Sequence, residues 1–226
     1  MPFRKIVFAT NQFYHIFNEA VAGESVFSNK WELTRALELI NFYRFKAQIS
    51  FSKYKNLNQQ EQEKFMKIIF NNSLLVEIHA FSLMPTHFHF LVKQLADGGI
   101  SSFAANFQNG FAKYYNLKNK RRGPVFCQMF KGVFIETEEQ FLHVSRYIHL
   151  NPVTAFLLKI DDLLNYPWTS FSAYMKKIKY DFVETKLIMS HFSLPAHYKE
   201  FVFNQEDYQK KLAKIKRLAL EVIPGV

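Results

Sequence analysis

The chain has 226 residues, 49% of them hydrophobic, which is enough to bury the core of one ordinary domain, and we expect no second complete domain. A formal net charge of +10 points to a polyanionic partner, with nucleic acid and an acidic membrane as first candidates. The single cysteine excludes an internal disulfide or multi-thiolate metal site. No apolar run approaches the roughly 20 residues of a membrane span and no secretion signal begins the chain, so we expect a soluble, cytoplasmic protein without membrane contact.

The first third of the chain predicts a strand, two helices and a further strand between them. Lys5 to Phe17 is rich in β-branched and aromatic residues, as a strand would be. Side chains recurring at fourfold spacing after the possible cap Ser28 predict a helix, and a second helix is expected over Gln59 to Phe70. Between the two helices, Phe45 to Phe51 is interpreted as a strand.

A hairpin and a long helix follow. Leu74 to Leu83 and His87 to Gln94 are predicted to be antiparallel strands joined by the turn Met84-Pro85-Thr86. After Gly98-Gly99, apolar side chains recur at threes and fours as far as Tyr115, which is typical of an amphipathic helix. This helix continues into a loop with concentrated positive charge.

The last part of the chain predicts one more strand and two more helices. Val125 to Ile135 is interpreted as a strand, and Glu138 opens a helix that Pro152 should stop just after Asn151. The lysine-rich segment Gln205 to Val222 predicts a final helix. The fold class is therefore α+β, a mostly antiparallel, ferredoxin-like sheet with helices packed on one face. We expect one domain over residues 1–178 and a C-terminal helical extension over 179–226.

His87 and His89 form the first candidate site. Side chains alternate between the two faces of a strand, so both imidazoles project to one side while Phe88 and Phe90 pack on the other. Two imidazoles can bind a divalent metal if a third ligand arrives from elsewhere. On its own, a His-x-His strand is more often an incidental structural feature than a metal site.

Tyr147 and Asn151 form the second candidate site. They are four residues apart on the predicted helix and share one face. An amide oxygen is a plausible ligand for magnesium or manganese, and a tyrosine oxygen can carry a covalent intermediate. Taken alone, this pair is better explained by a helix that buries its tyrosine and caps itself with its asparagine.

Five segments together resemble the single-tyrosine HUH transposases, in particular the REP-associated tyrosine transposases. In chain order, they are Phe13-Tyr14-His15-Ile16-Phe17-Asn18, Met84-Pro85-Thr86-His87-Phe88-His89, the basic helix and loop before Gly123, Tyr147-Ile148-His149-Leu150-Asn151-Pro152-Val153, and Tyr166-Pro167-Trp168-Thr169-Ser170. The resemblance spans most of the chain, and the ordered combination is more specific than any single segment.

The resemblance implies an HUH endonuclease fold of the ferredoxin-like (RRM-like) type and a role for each candidate residue. His87, His89 and Asn151 would bind the Mg²⁺ or Mn²⁺ that the family uses, although imidazole softness alone would favour zinc. Tyr147 would attack a phosphodiester of single-stranded DNA, leaving a 5′-phosphotyrosine and a free 3′-hydroxyl, at hairpin-flanked repeats. The partner would be single-stranded or hairpin DNA, the protein a monomer or homodimer, and its place the bacterial cytoplasm, near the nucleoid.

Basic residues give the expected path of the DNA. Six side chains are candidate phosphate contacts: Lys113, Lys118, Lys120, Arg121, Arg122 and Arg146. The alternative for the basic loop is a solvated charged face. Of the other histidines, His15 and His149 lie in the family-like motifs but have no physical role that the sequence reveals.

Two other functions remain open on the sequence. An aromatic, basic sheet can bind single strands without catalysis, as a domesticated relative would. A metal-dependent nuclease can also use water instead of tyrosine to attack the phosphate.

Overall fold

A four-stranded antiparallel sheet forms the centre of the protein. The structure, a computed structural model, describes residues 6–71 and 74–204. The strands are β1 (Phe13–Glu19), β2 (Val76–Met84), β3 (His87–Gln94) and β4 (Lys131–Ile135). They lie in the order β2-β3-β1-β4, with every neighbouring pair antiparallel. This is the order of the ferredoxin-like split β-α-β arrangement, so the predicted α+β fold is confirmed.

Eight α-helices surround the sheet in the part of the chain that the structure describes. They are α1 (Lys30–Tyr43), α2 (Phe51–Lys55), α3 (Gln59–Asn71), α4 (Gly99–Lys118), α5 (Glu138–Thr154), α6 (Phe171–Tyr174), α7 (Lys186–Met189) and α8 (Pro195–Phe203). Short 3₁₀ segments occupy Val21–Gly23 and Ile160–Asn165. The positions of the predicted hairpin and of the helix after Gly98-Gly99 are confirmed.

One face of the sheet is covered by α1 and α4. The alternation of β3 turns Phe88 and Phe90 to this face, where their rings contact Phe107 of α4 at centroid distances of 5.1 and 5.5 Å. Phe103 and Phe107 are fully buried in the same cluster. This aromatic layer fixes which face of β3 is buried, and therefore which side chains point the other way.

The opposite face is partly covered by α5 and the chain that follows it. Helix α5 packs on β2, β3 and α8. Ile148 and Leu150 of α5 are fully buried together with Leu91 of β3 and Tyr198 of α8. In addition to the predicted helical layer, α5 therefore spans the other face of the sheet and brings its side chains close to the strands.

The predicted strand from Phe45 to Phe51 is wrong. Only Phe45 makes an isolated bridge, to Leu74. Phe51 instead begins α2, because the Ser50 side chain accepts a hydrogen bond from the backbone N–H of Lys53 and caps the helix. The local preference for a strand was also small, since Lys46 and Ala47 are weak strand formers.

The predicted stop of the helix at Pro152 is also wrong, by three residues, since α5 continues to Thr154. Proline removes only its own N–H from the hydrogen-bond ladder. The next N–H groups still bond normally, with Ala155 donating to the carbonyl of Asn151 at 2.9 Å. Asn151 is therefore held inside the last turns of a helix rather than at its end.

Part of the predicted C-terminal extension lies against the domain. Ile188 of α7 and Tyr198 and Val202 of α8 are fully buried in the α5 cluster. The division at residue 178 stays a prediction, and the predicted helix Gln205 to Val222 lies outside the described residues. None of the helices in the described ranges combines the length and the hydropathy needed to span a bilayer.

Gly99→Ala should destabilise the protein strongly. Gly99 opens α4 so close to β2 that an added Cβ would collide with the backbone carbonyl oxygen of Leu75. Because that neighbour is backbone, it cannot rotate away, and we expect a loss of about 2–3 kcal/mol in the free energy of unfolding by urea. Gly110→Ala in the same helix is the control, since its neighbours are the side chains of Leu39 and Tyr43, which can shift. Equal losses in both variants would contradict this explanation.

Candidate active site

His87 and His89 project from β3 to the face that α5 crosses. Their ring centroids lie 5.1 Å apart with the rings perpendicular. His89 is buried, whereas His87 is partly exposed at the end of the strand. The Nδ1 atom of His87 lies 2.9 Å from the Thr86 hydroxyl. The predicted common face of the two imidazoles is therefore present.

His15 of β1 joins this pair, a contact that the sequence did not reveal. Its Nε2 lies 2.9 Å from Nδ1 of His89, and the two rings are stacked at 5.1 Å. The strand register places Phe17 opposite His89 and His15 opposite Leu91, so these four side chains share one face. The alternation of side chains along β1 was visible in the sequence, but the closeness of His15 to His89 depends on how β1 is aligned with β3.

Tyr147 of α5 lies over the histidines. Its ring centroid is 5.6 Å from that of His89 and 5.8 Å from that of His15, edge-on to both. The side-chain amide of Asn151, one helical turn later, donates to the Tyr147 backbone carbonyl at 3.2 Å. Three sequence-distant elements, β1, β3 and α5, thus bring the phenol and the imidazoles together.

Burial keeps the imidazoles neutral. It lowers the pKa of His15 from 6.5 to about 3. It also lowers the pKa of His89 well below its usual value, with further lowering from the neighbouring His15 and His87. For His87, burial lowers the pKa and nearby Glu19 raises it, with a net decrease. Neutral imidazole is the form that binds a metal ion.

The Tyr147 phenol is held in its protonated form. Burial raises its pKa, and a hydrogen bond with the Asn151 side chain lowers it by less. The phenol therefore needs an acceptor for its proton before its oxygen can act as a strong nucleophile.

The chemistry of the donor atoms near Tyr147 suits a divalent cation that takes further ligands from elsewhere. Both His87 and His89 engage Nδ1 within the protein, which leaves Nε2 of each ring for a metal. Within residues 6–71 and 74–204, no three His, Cys, Asp or Glu side chains are arranged to hold a metal ion by themselves. A cation here would need the Asn151 oxygen and oxygens of a substrate or water.

His149 lies in the same helix but plays a different part. Its Nε2 is 2.7 Å from the Ser170 hydroxyl, and its Nδ1 is 2.8 Å from the Tyr198 hydroxyl. Ser170 in turn bonds to the backbone of Phe81 in β2. This buried network ties α5 to the sheet and to α8, so His149 helps to fix the position of the helix that carries Tyr147.

The basic residues before Gly123 divide into paired and unpaired side chains. Lys118 lies 3.7 Å from Glu32, and Arg121 lies 2.9 Å from Glu24 while also bonding the Pro124 carbonyl. Lys120 and Arg122 are exposed, and neither has an ion pair with any described residue. Lys113 is exposed beside a cavity of about 670 Å³ between α1 and α4, which the candidate active site does not line.

The prediction that Arg146 contacts DNA is contradicted by its burial. The side chain is fully enclosed, its guanidinium lies 5.0 Å from the centre of the Phe201 ring, and it donates to the backbone carbonyl of Asn204. Helix α5 turns residue 146 towards α8 rather than towards solvent. Adjacency to Tyr147 in sequence does not place the two side chains on one face, because successive helical residues are about 100° apart.

Most of the fold resembles that of a solved structure. The structure of a REP-associated tyrosine transposase bound to a REP hairpin is similar to this chain with a TM-score of 0.53 and 14% sequence identity. The likeness covers 81% of this chain and 98% of the other. No family model and no curated protein matches the chain. At this identity the likeness establishes the shared fold.

Proposed function

We propose that this protein is a metal-dependent enzyme that nicks and joins single-stranded DNA, with Tyr147 as nucleophile. The observation that carries the proposal is the position of the Tyr147 ring against His15 and His89. Asn151 lies one helical turn later, and its side-chain amide donates to the Tyr147 backbone carbonyl. The sequence resemblance and the shared fold with a hairpin-bound transposase support the same conclusion. Mg²⁺ or Mn²⁺ is the proposed metal.

The side chains divide the work of the reaction. His87, His89 and Asn151 would hold the cation, which would offset the negative charge that builds on the scissile phosphate. The Tyr147 oxygen attacks phosphorus, the bond from phosphorus to the 3′ oxygen breaks, and that oxygen leaves as a 3′-hydroxyl. The phenol proton passes to a base or to the leaving group. Because one phosphoester bond replaces another, the reverse attack by a 3′-hydroxyl rejoins DNA without an external energy source.

The exposed basic loop gives the DNA a path to this site. Arg121 ties the loop to Glu24, just after β1, while Cys127 donates its backbone N–H to Glu19 at the end of β1. Glu19 is also the register partner of His87. The loop therefore lies at the end of the sheet where His87 is partly exposed, and a DNA strand held by Lys120 and Arg122 would lead towards the histidines.

The test is a covalent adduct whose DNA polarity is known. A pool of single-stranded hairpin oligonucleotides, labelled at either end, is incubated with the protein and Mn²⁺ and then denatured. We expect the 3′-labelled strand to migrate with the protein and the 5′-labelled fragment to be released, since the phosphotyrosine retains the DNA on the 3′ side of the nick. Cleavage without an adduct would indicate attack by water, and binding without cleavage would indicate a non-catalytic single-strand binder.

Removing the two unpaired loop charges should weaken DNA binding and make it less dependent on salt concentration. For Lys120→Gln with Arg122→Gln, we expect the slope of log affinity against log salt to flatten by about 1.4, at roughly 0.7 for each phosphate contact on single strands. Fluorescence anisotropy at several salt concentrations measures the slope. Lys176→Gln with Lys177→Gln removes the same charge from another exposed segment and should leave it unchanged. An unchanged slope in the loop variant would move the DNA path elsewhere.

A further inference from the structure

The environment of His89 has a feature that the proposed reaction does not use. His89 and His87 would each bind a cation through one ring nitrogen, and in each ring the other nitrogen has a partner within the protein. For His87 that partner is the Thr86 hydroxyl at 2.9 Å. For His89 it is a second imidazole, that of His15, also at 2.9 Å.

We propose that His15 is a positioning residue for His89: its Nε2 accepts the Nδ1–H of His89 and so holds His89 in the tautomer whose Nε2 can bind a divalent cation. A neutral imidazole carries one proton, and the nitrogen that binds a metal must be free of it. Donation from His89 to His15 leaves Nε2 of His89 unprotonated. Donation in the other direction would place the His89 proton on Nε2 and block that atom.

The geometry around His15 makes this role specific. Its ring is held in place, since it stacks on His89 and lies 5.0 Å from Phe17. The register of β1 against β3 fixes both backbones. The side chain is also nine-tenths or more buried, so water competes little for the hydrogen bond. A partner that orients a metal-binding imidazole in this way typically raises metal affinity 10- to 100-fold.

His15 also contacts the nucleophile. The Tyr147 ring lies edge-on to it at 5.8 Å. One side chain therefore touches both the candidate metal ligand and the candidate nucleophile, whose rings also contact each other at 5.6 Å. This inference rests on the proposed function, because it assumes a cation at His87 and His89.

The first measurement needs no substitution. Long-range ¹H–¹⁵N correlation spectra of the metal-free protein report which nitrogen of each histidine carries the proton. We expect His89 to be protonated on Nδ1 and His15 to be unprotonated on Nε2. A His89 ring protonated on Nε2 would overturn the proposal, whether or not the protein forms a DNA adduct.

The second measurement compares Mn²⁺ affinity among variants, followed by the EPR signal of free Mn²⁺. His15→Phe keeps a ring of similar size but has no acceptor, and we expect it to bind Mn²⁺ about 10- to 100-fold more weakly. His15→Gln supplies an amide oxygen at a similar reach and should recover most of the affinity. His79→Gln replaces another fully buried histidine of the sheet, one that contacts Phe13 and Phe141, and should bind like the wild type. Thermal unfolding of each variant verifies that it is folded.

The outcomes separate this role from the proposed function. Equal Mn²⁺ affinity in His15→Phe and the wild type, with the adduct still formed by the wild type, would overturn the positioning role alone. A loss that His15→Gln does not recover would make His15 a direct ligand and would also overturn it. A wild-type protein that binds no Mn²⁺ would overturn both proposals.

Discussion

The variant Tyr147→Phe should form no denaturation-resistant adduct with single-stranded DNA. The adduct yield should fall below the detection limit of the assay, about three orders of magnitude under the yield of the wild type. The substitution removes the oxygen of the proposed nucleophile. It keeps the ring that packs edge-on against His15 and His89. The affinity for uncleaved DNA, measured by anisotropy, should therefore remain within a few-fold of the wild type.

A matched tyrosine distinguishes chemistry from packing. Tyr166→Phe makes the same change at another partly buried tyrosine, in the loop before α6, and should form the adduct at the wild-type rate. A persistent adduct in Tyr147→Phe would identify another nucleophile. The unfolding temperature of both variants is measured alongside. A lost adduct is assigned to the missing hydroxyl group only if the Tyr147→Phe protein is folded.

Phe88 and His87 are neighbours in β3, but their substitutions should affect different properties. Phe88→Ala should mainly lower stability, and His87→Ala should mainly abolish metal binding and adduct formation. Phe88 is fully buried, and its ring contacts Phe107 at 5.1 Å and Phe126 at 5.6 Å. Its loss leaves a cavity in the aromatic layer, so we expect about 3–5 kcal/mol less stability towards urea. His87 is partly exposed on the other face, so His87→Ala should cost less than about 1 kcal/mol.

For Mn²⁺ binding and adduct formation, His87→Ala should have the larger effect of the two variants. His87→Ala removes a proposed metal ligand, so Mn²⁺ binding and adduct formation should be lost in a folded protein. Phe88→Ala, assayed at a temperature where it remains folded, should retain Mn²⁺ binding, because its side chain points away from the site. A folded His87→Ala protein that binds Mn²⁺ like the wild type would contradict the assignment of that histidine.

Local periodicity explains which parts of the site could be predicted from sequence. Strand alternation puts His87 and His89 on one face, and helical spacing puts Tyr147 and Asn151 on another, wherever these elements lie. The bounds of β3 were also predicted, since histidine and phenylalanine alternate over its first four residues and two apolar residues follow them. The predicted strand from Phe45 to Phe51 failed because only Phe45, Ile49 and Phe51 favour a strand, and the Ser50 cap makes Phe51 the start of a helix.

Long-range contacts explain what the sequence analysis missed. His15 was assigned no role, because its hydrogen bond to His89 depends on how β1 is aligned with β3. Arg146 was expected to contact DNA, because nothing near it in sequence reveals its contacts with Phe201 of α8 and with Asn204, which follows that helix. Arg121 likewise looked free, although Glu24 pairs with it from the turn after β1.

By itself, the sequence of this protein determined the class of fold, the two pairs of candidate residues and the excess of positive charge. These follow from composition and from backbone periods of two and 3.6 residues, which act over a few neighbours. Only the tertiary structure decided that Tyr147 lies against His89 and that His15 lies within hydrogen-bonding distance of His89. It also decided that Lys120 and Arg122 have no ion pair with any described residue. Those facts depend on strand register and on the packing of α5, which are set by contacts between residues far apart in the chain.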